Sequence, residues 1–217
     1  MTLFYRFFRS LARTFFGLMG GFEVRQAERL PTTGPAIIAA NHASFADPPA
    51  AGVAAKRPLH FMAQAELFKP PIFRSIIRKL GAFPIHRGES DLAAVKKALE
   101  VLGQGGALVM FPEGTRGDGK RLGSPQKGMN LIAAKSDAPI VPTAITGTFK
   151  LLPKGAKLPH RSKVCVIFGE PIRYSEVVAE FGREQAKVEF PRIIMERIQR
   201  LLTEAGENYS LTNGGSS

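Results

Sequence analysis

Hydrophobic and polar positions along this chain follow two periods, and the switches between them mark its elements. Over residues 1–20 the period is helical. Phe4, Phe7, Phe8, Leu11, Phe15 and Leu18 gather on one face, and Arg6, Arg9 and Arg13 on the opposite one. Gly20-Gly21 then stops the helix. From Phe22 onward, short apolar runs alternate with helical stripes. The pattern predicts strands at Phe22–Arg25, Ala36–Ala40, Leu59–Ala63, Phe83–Ile85, Ala107–Phe111, Ile140–Ile145 and Lys163–Phe168. It predicts helices at Pro48–Ala55, Ile72–Leu80, Asp91–Leu102, Gln126–Lys135 and Glu184–Ala205, the last interrupted near Pro191. Asp47 is expected to cap the first of these, with Pro48 at the first helical position. In the helix over 91–102, Leu92, Val95, Leu99 and Leu102 form the core-facing stripe. Such alternation implies an α/β domain: a mixed, mostly parallel sheet flanked by helices. The expected division is an N-terminal amphipathic interfacial helix over 1–21, one domain over 22–207, and a polar, glycine-rich flexible tail over 208–217.

Composition narrows this reading. A chain of 217 residues with 44% hydrophobic content fits one domain with a buried core. No apolar run reaches transmembrane length. The single cysteine, Cys165, lies in an expected buried strand, and one thiol forms no internal disulfide, which favours a reducing compartment. The net charge of +12 favours anionic partners. No zinc-finger spacing, RNA-binding signature or helix-turn-helix pattern is present, so nucleic acid is not among the expected partners. No acidic residue precedes Glu23, and the arginines interrupt the apolar run too early for a secretory signal. Residues 1–20 therefore read as a helix lying flat in an anionic membrane surface. Its arginines would sit among headgroups, each contributing roughly 1 kcal/mol, and its rings in the acyl boundary. The competing reading is a helix packed on the domain's own core.

The candidate chemistry lies in loops that follow strands. His42 and Asp47 stand in Asn41-His42-Ala-Ser-Phe-Ala-Asp47, where four intervening residues let the chain turn back. The carboxylate can then accept from one ring nitrogen and leave the other free to take a proton. Capping and orienting can coexist on the two oxygens of Asp47. In Phe111-Pro-Glu-Gly-Thr-Arg116, Pro112 ends the strand and Gly114 permits a tight turn whose amides can cradle an anion. Arg116 offers a planar fork for phosphate oxygens, and Thr115 a further donor. Glu113 is expected to hold an arginine rather than touch a phosphate. Arg87, after Gly81-Ala-Phe-Pro-Ile-His, would complete a two-arginine clamp. Together these groups suggest a base that activates a hydroxyl on a phosphorylated substrate. No metal-ligand cluster is expected. A hydrolase with Ser44 as nucleophile is an alternative, although no Gly-x-Ser-x-Gly occurs. A non-catalytic, membrane-binding module is another.

These motifs, with Ile140-Val-Pro-Thr-Ala-Ile145 after them, occur in the order found in the PlsC-type glycerophospholipid acyltransferases, and the block from about Phe22 to Pro171 resembles that family. Glu66-Leu-Phe-Lys69 and Gly169-Glu-Pro-Ile172 add to the likeness, while Gln64 stands where many relatives have lysine. The resemblance implies acyl transfer from acyl-CoA or acyl carrier protein, as co-substrate and without a cofactor, to a lysophospholipid hydroxyl. Lysophosphatidate is the favoured acceptor; glycerol 3-phosphate or another lyso-lipid is the alternative. It implies His42 as base, Asp47 as its orienter, and Arg87, Glu113, Gly114 and Arg116 as the acceptor site. Pro142 would mark the acyl site. The expected location is the cytoplasmic face of a membrane, peripheral or monotopic.

Overall fold

The structure, a computed structural model, describes residues 1–86 and 92–211 and opens on helix α1 (Leu3–Leu18), which leads into strand β1 (Phe22–Arg25). There follow β2 (Ala36–Ala40), α2 (Asp47–Ala54), β3 (Leu59–Gln64), α3 (Pro71–Lys79), β4 (Ala82–Ile85), α4 (Leu92–Gly103) and β5 (Ala107–Met110). After these come β6 (Arg121–Leu122), α5 (Lys127–Ser136), β7 (Ile140–Thr146), α6 (Thr148–Leu151) and β8 (Val164–Phe168). Helices α7 (Tyr174–Phe181) and α8 (Arg183–Glu204) and the short β9 (Ser210–Leu211) complete the chain.

Seven strands form one sheet in the order β1-β8-β7-β2-β5-β3-β4. Every neighbouring pair is parallel except β7 and β8. The sheet is buried on both faces, which is why its inner strands read as unbroken apolar runs such as Ala36–Ala40 and Val164–Phe168. Alternate residues feed two cores. Ala36, Ile38, Ala40, Ala107 and Val109 pack with α2 and Phe16 of α1. Ile37, Ala39, Leu108 and Met110 pack with α4, α5, α7 and α8.

Topology places the site. From β2 the chain crosses through α2, on one face, to β3; from the adjacent β5 it crosses through α5, on the other face, to β7. The connections leave two neighbouring strands in opposite directions, which opens a crevice at their carboxyl ends. The His42 loop follows β2 and the Phe111–Arg116 loop follows β5.

Four expectations change at this level. Leu92 is exposed; of the expected stripe Leu102 is buried and Val95 and Leu99 pack partly buried on the core, joined by Ala94, Ala98 and Val101. Helix α8 runs unbroken through Pro191. Proline supplies no N–H to the carbonyl four residues back, but Asn130 Nδ2 donates to that carbonyl, of Lys187, at 2.6 Å. The tail expected from 208 is partly structured: Ser210–Leu211 pairs in parallel with Arg121–Leu122. Residues 212–217 lie outside the described residues.

The fourth change concerns α1, which has three faces rather than two. Tyr5 and Phe16 are buried against the domain, and the Tyr5 hydroxyl accepts from Leu59 N at 3.2 Å. Leu3, Phe7, Leu11, Phe15 and Leu18 are exposed. Phe4 and Phe8 are half-buried, their rings 4.7 Å apart, with the Lys79 ammonium over Phe4. Arg6 and Arg13 are exposed, whereas Arg9 turns inward and donates to Val53 O at 3.0 Å. Arg9 therefore leaves the cationic face assigned to it, because that position borders the buried stripe. No helix of the described residues is long and apolar enough to cross a membrane.

Candidate active site

The loop after β2 is held by its own polar groups. The Asn41 side chain bridges to β7: Nδ2 donates to Ile145 O at 2.9 Å, and Oδ1 accepts from Ile145 N at 2.7 Å. This locks the end of β2 to its neighbour and sets where His42 begins. Asp47 is 0% exposed. Its Oδ2 accepts from His42 Nδ1, Ala43 N and Ser44 N, each at 2.8 Å. A carboxylate only accepts, so Nδ1 carries the proton and Nε2 presents a lone pair. Nε2 meets no partner among the described residues, and the His42 side chain is 17% exposed. The ring stacks on Phe111 at 4.0 Å between centroids, 19° from parallel.

Asp47 does not cap helix α2 as the sequence suggested. It is the first helical residue, Ala46 occupies the cap position without a side-chain bond, and the carboxylate turns back to the loop amides. Ser44 is spent as well: its hydroxyl donates to Leu152 O at 2.8 Å, accepts from Ala46 N, and is fully buried. A nucleophilic Ser44 would have to break those bonds, which weighs against the hydrolase alternative.

Glu113 takes a different place from the one expected. Among the described residues it holds no arginine. Oε1 accepts from His42 N and Oε2 from Gly123 N, both at 2.8 Å, and the residue is buried. Burial pushes its carboxyl above the usual range, against the pull of the two backbone bonds. A second tie runs the other way, from Gly117 N to His42 O at 2.8 Å. The peptide of His42 is thus gripped on both sides by the loop after β5.

That loop turns at Gly114, whose φ of +66° belongs to the left-handed region and whose amide donates to Phe111 O. A Cβ there would lie 2.8 Å from Gln126 Cγ. Since Gly114 and Gly117 already donate to carbonyls, the amides of this turn free of a protein acceptor among the described residues are those of Glu113, Thr115 and Arg116. Thr115 is exposed at the turn. The Arg116 guanidinium lies over the Phe45 ring, its Cζ 3.6 Å from the centroid, and forms no ion pair among the described residues. Phe45 belongs to the His42 loop, so Arg116 and the dyad share one crevice. Arg87 lies outside the described residues. Pro142 does not join the cluster: it is buried within β7, and its carbonyl accepts from Gly169 N at 2.7 Å.

Residues 21–146 match the family model described as Acyltransferase. This chain belongs to the Acyltransferase family. It is similar to the 1-acyl-sn-glycerol-3-phosphate acyltransferase of Bacillus subtilis, 30% identical over 174 residues, which are 79% of this chain and 84% of that protein. It is also similar to the chloroplastic 1-acyl-sn-glycerol-3-phosphate acyltransferase of Arabidopsis thaliana, 31% identical over 76% of this chain; the match spans 48% of that longer protein. Among solved structures, the 1-acyl-sn-glycerophosphate acyltransferase PlsC of Thermotoga maritima superposes with a TM-score of 0.78 at 28% identity, covering 93% of this chain and 79% of that one. The α/β architecture and the acyltransferase assignment thus agree with the resemblance carried by the motifs.

The sequence left three features around His42 and Arg116 unread: the Asn41 bridge, Phe111 under the imidazole and Phe45 under Arg116. Tyr209 lies in the segment expected to be a tail. Its phenol is pushed upward by burial and then by the nearby carboxylates of Glu207, Asp47, Glu113 and Asp118. Asn41, Phe45 and Phe111 all stand inside the two motifs, but their residue types do not show what each touches.

Proposed function

We propose that this acyltransferase moves a fatty acyl group from an acyl thioester, acyl-CoA or acyl carrier protein, to the free hydroxyl of lysophosphatidate, giving phosphatidate. The observation that carries the reading is the His42–Asp47 pair, with Nε2 unpartnered, on a loop whose Phe45 carries Arg116, an arginine with no counter-ion among the described residues. The similar proteins named for 1-acyl-glycerol phosphate support the choice of acceptor.

His42 Nε2 takes the proton of the acceptor hydroxyl as its oxygen attacks the thioester carbon. A C–O bond forms and the carbonyl becomes a tetrahedral oxyanion. Collapse breaks the C–S bond, and the thiolate leaves with the proton held on the imidazolium. No acyl-enzyme is required, because the thioester is already activated. Asp47 fixes the tautomer and steadies the imidazolium. Arg116 leaves Phe45 to meet the phosphate, joined by Arg87, while Thr115 and the free amides of the turn add donors. Orientation of this kind can contribute as much as the base itself. The exposed stripe of α1 would rest on an anionic membrane at its cytoplasmic face, with Arg6 and Arg13 towards headgroups, peripheral or monotopic.

The test is a panel of acceptors and donors with purified protein and liposomes, read by mass spectrometry. Phosphatidate is expected from lysophosphatidate with the wild type and is lost in His42→Ala. Transfer that favours an acceptor without phosphate, or turnover unchanged in His42→Ala, overturns the reading.

A further inference from the structure

Residues 152–163 join α6 to β8 and take no part in the chemistry above. Yet the segment is tied to the catalytic loop at one end and to α1 at the other. Leu152 O receives the Ser44 hydroxyl at 2.8 Å. Ser162 N donates to Met19 O at 2.7 Å, just past the end of α1. Between these ties the segment is shaped by Ala156 N to Pro153 O at 3.0 Å and His160 N to Leu151 O at 2.8 Å. It is an ordered projection rather than loose chain.

Its surface has one character. Lys154, Lys157, His160 and Arg161 are exposed, and Leu158 between them is 76% exposed. From Thr148 to Gly169 there is no Asp or Glu. Lys154, Lys157 and Arg161 form no ion pair among the described residues. The neighbouring end of α1 presents Leu18, itself 67% exposed. A large apolar side chain ringed by uncompensated cations matches an anionic lipid surface, which takes the leucine into its acyl boundary and the cations among its phosphates.

Placement gives this surface a use. Helix α1 crosses the sheet from the start of β3, where Tyr5 meets Leu59, to the start of β8. The start of β8 lies beside the end of β7, on the edge of the sheet that carries the His42 loop. We propose that residues 154–161 are a second membrane-docking element, which takes anionic phospholipid headgroups and sets the catalytic loop against the bilayer. Its purpose rests on the lipid-acceptor reading above; its membrane binding is tested independently of it.

The experiment uses the full chain. The variant K154Q/K157Q/R161Q is compared with wild type by co-sedimentation on two vesicles, pure phosphatidylcholine and an equal mixture of phosphatidylcholine and phosphatidylglycerol. Partition onto the mixed vesicles is expected to fall about tenfold or more, and partition onto phosphatidylcholine to change little. Acyl transfer to a short-chain, monomeric acceptor is expected to stay at the wild-type level, and transfer to an acceptor embedded in mixed vesicles to fall with partition. The charge-conserving K154R/K157R/R161K should behave as wild type in both. Unchanged partition of the glutamine variant overturns the proposal, as does equal loss on both vesicles or loss in the charge-conserving variant. Unchanged partition with a raised KM for acyl carrier protein would instead make the loop a dock for an acidic protein. A wild-type protein that transfers no acyl group to any lyso-lipid would end the proposed function while leaving the partition result to stand.

Discussion

His42 and Arg116 stand on adjoining loops but are held in opposite ways. Around His42 every polar group but Nε2 is committed: Nδ1 to Asp47, its amide to Glu113 and its carbonyl to Gly117, with the ring stacked on Phe111. Among the described residues Arg116 rests on the face of an exposed phenylalanine and meets no carboxylate. In the proposed reaction the first arrangement would fix a proton acceptor before substrate arrives, which removes reorganisation from the chemical step. The second would hold a cation at low cost until the acceptor's phosphate displaces the ring.

This contrast makes graded predictions. The largest effect belongs to His42→Ala, where kcat should fall about a hundred- to ten-thousand-fold with the thermal melt unchanged. A melt that collapses with activity would mean that the ring is structural. Next is Arg116→Ala. KM for a phosphorylated acceptor should rise about tenfold or more, the scale of a lost charge-assisted hydrogen bond of about 1.5–3 kcal/mol, with little change in kcat. Steady-state kinetics against acceptor and donor in turn would expose an effect on the wrong substrate.

Glu113→Gln probes the rigid side through stability. One amide oxygen can keep a backbone bond, but the NH2 would face another N–H, so the cost should be about 1–3 kcal/mol by denaturant melt. The pH dependence has a definite sign. The folded-state pKa of Glu113 is raised by burial, so the unfolded chain ionises first as pH climbs. Wild type should therefore lose stability relative to the glutamine variant from the ordinary carboxylate range up through the raised value, with no further change above it. A constant difference across that window would mean that the carboxylate is as well solvated as in the unfolded chain. The smallest effect is Phe45→Leu. Loss of an exposed cation–π contact of about 0.5–1 kcal/mol should shift acceptor KM by only a few-fold, with kcat untouched.

What could be read from the chain follows from the same physics. His42 and Asp47 were legible because a side chain must reach a side chain across four residues, and that leaves a spacing. The parallel sheet was legible because strands buried on both faces show as apolar runs. Glu113 was not: its targets are backbone amides, 71 and 10 residues away, and amides carry no residue identity. Phe45 was not, because a lone aromatic in a loop looks the same whether or not a cation rests on it. Pro191 misled for a related reason, since the group that satisfies the orphaned Lys187 carbonyl lies on another helix. Arg9 misled because a helical wheel counts faces but does not show where a neighbouring helix will land.

The inward anchoring of α1 bears on how this enzyme can be handled. Tyr5 and Phe16 plug the domain, and Arg9 reaches the carbonyl of Val53. Cutting away the first turns to make a detergent-free preparation would therefore uncover core and strand the Leu59 amide. Redesigning only the outward row, with Leu3, Phe7, Leu11 and Leu18 made polar, would keep the plug seated and, on the proposed docking of α1, would release the molecule from a bilayer.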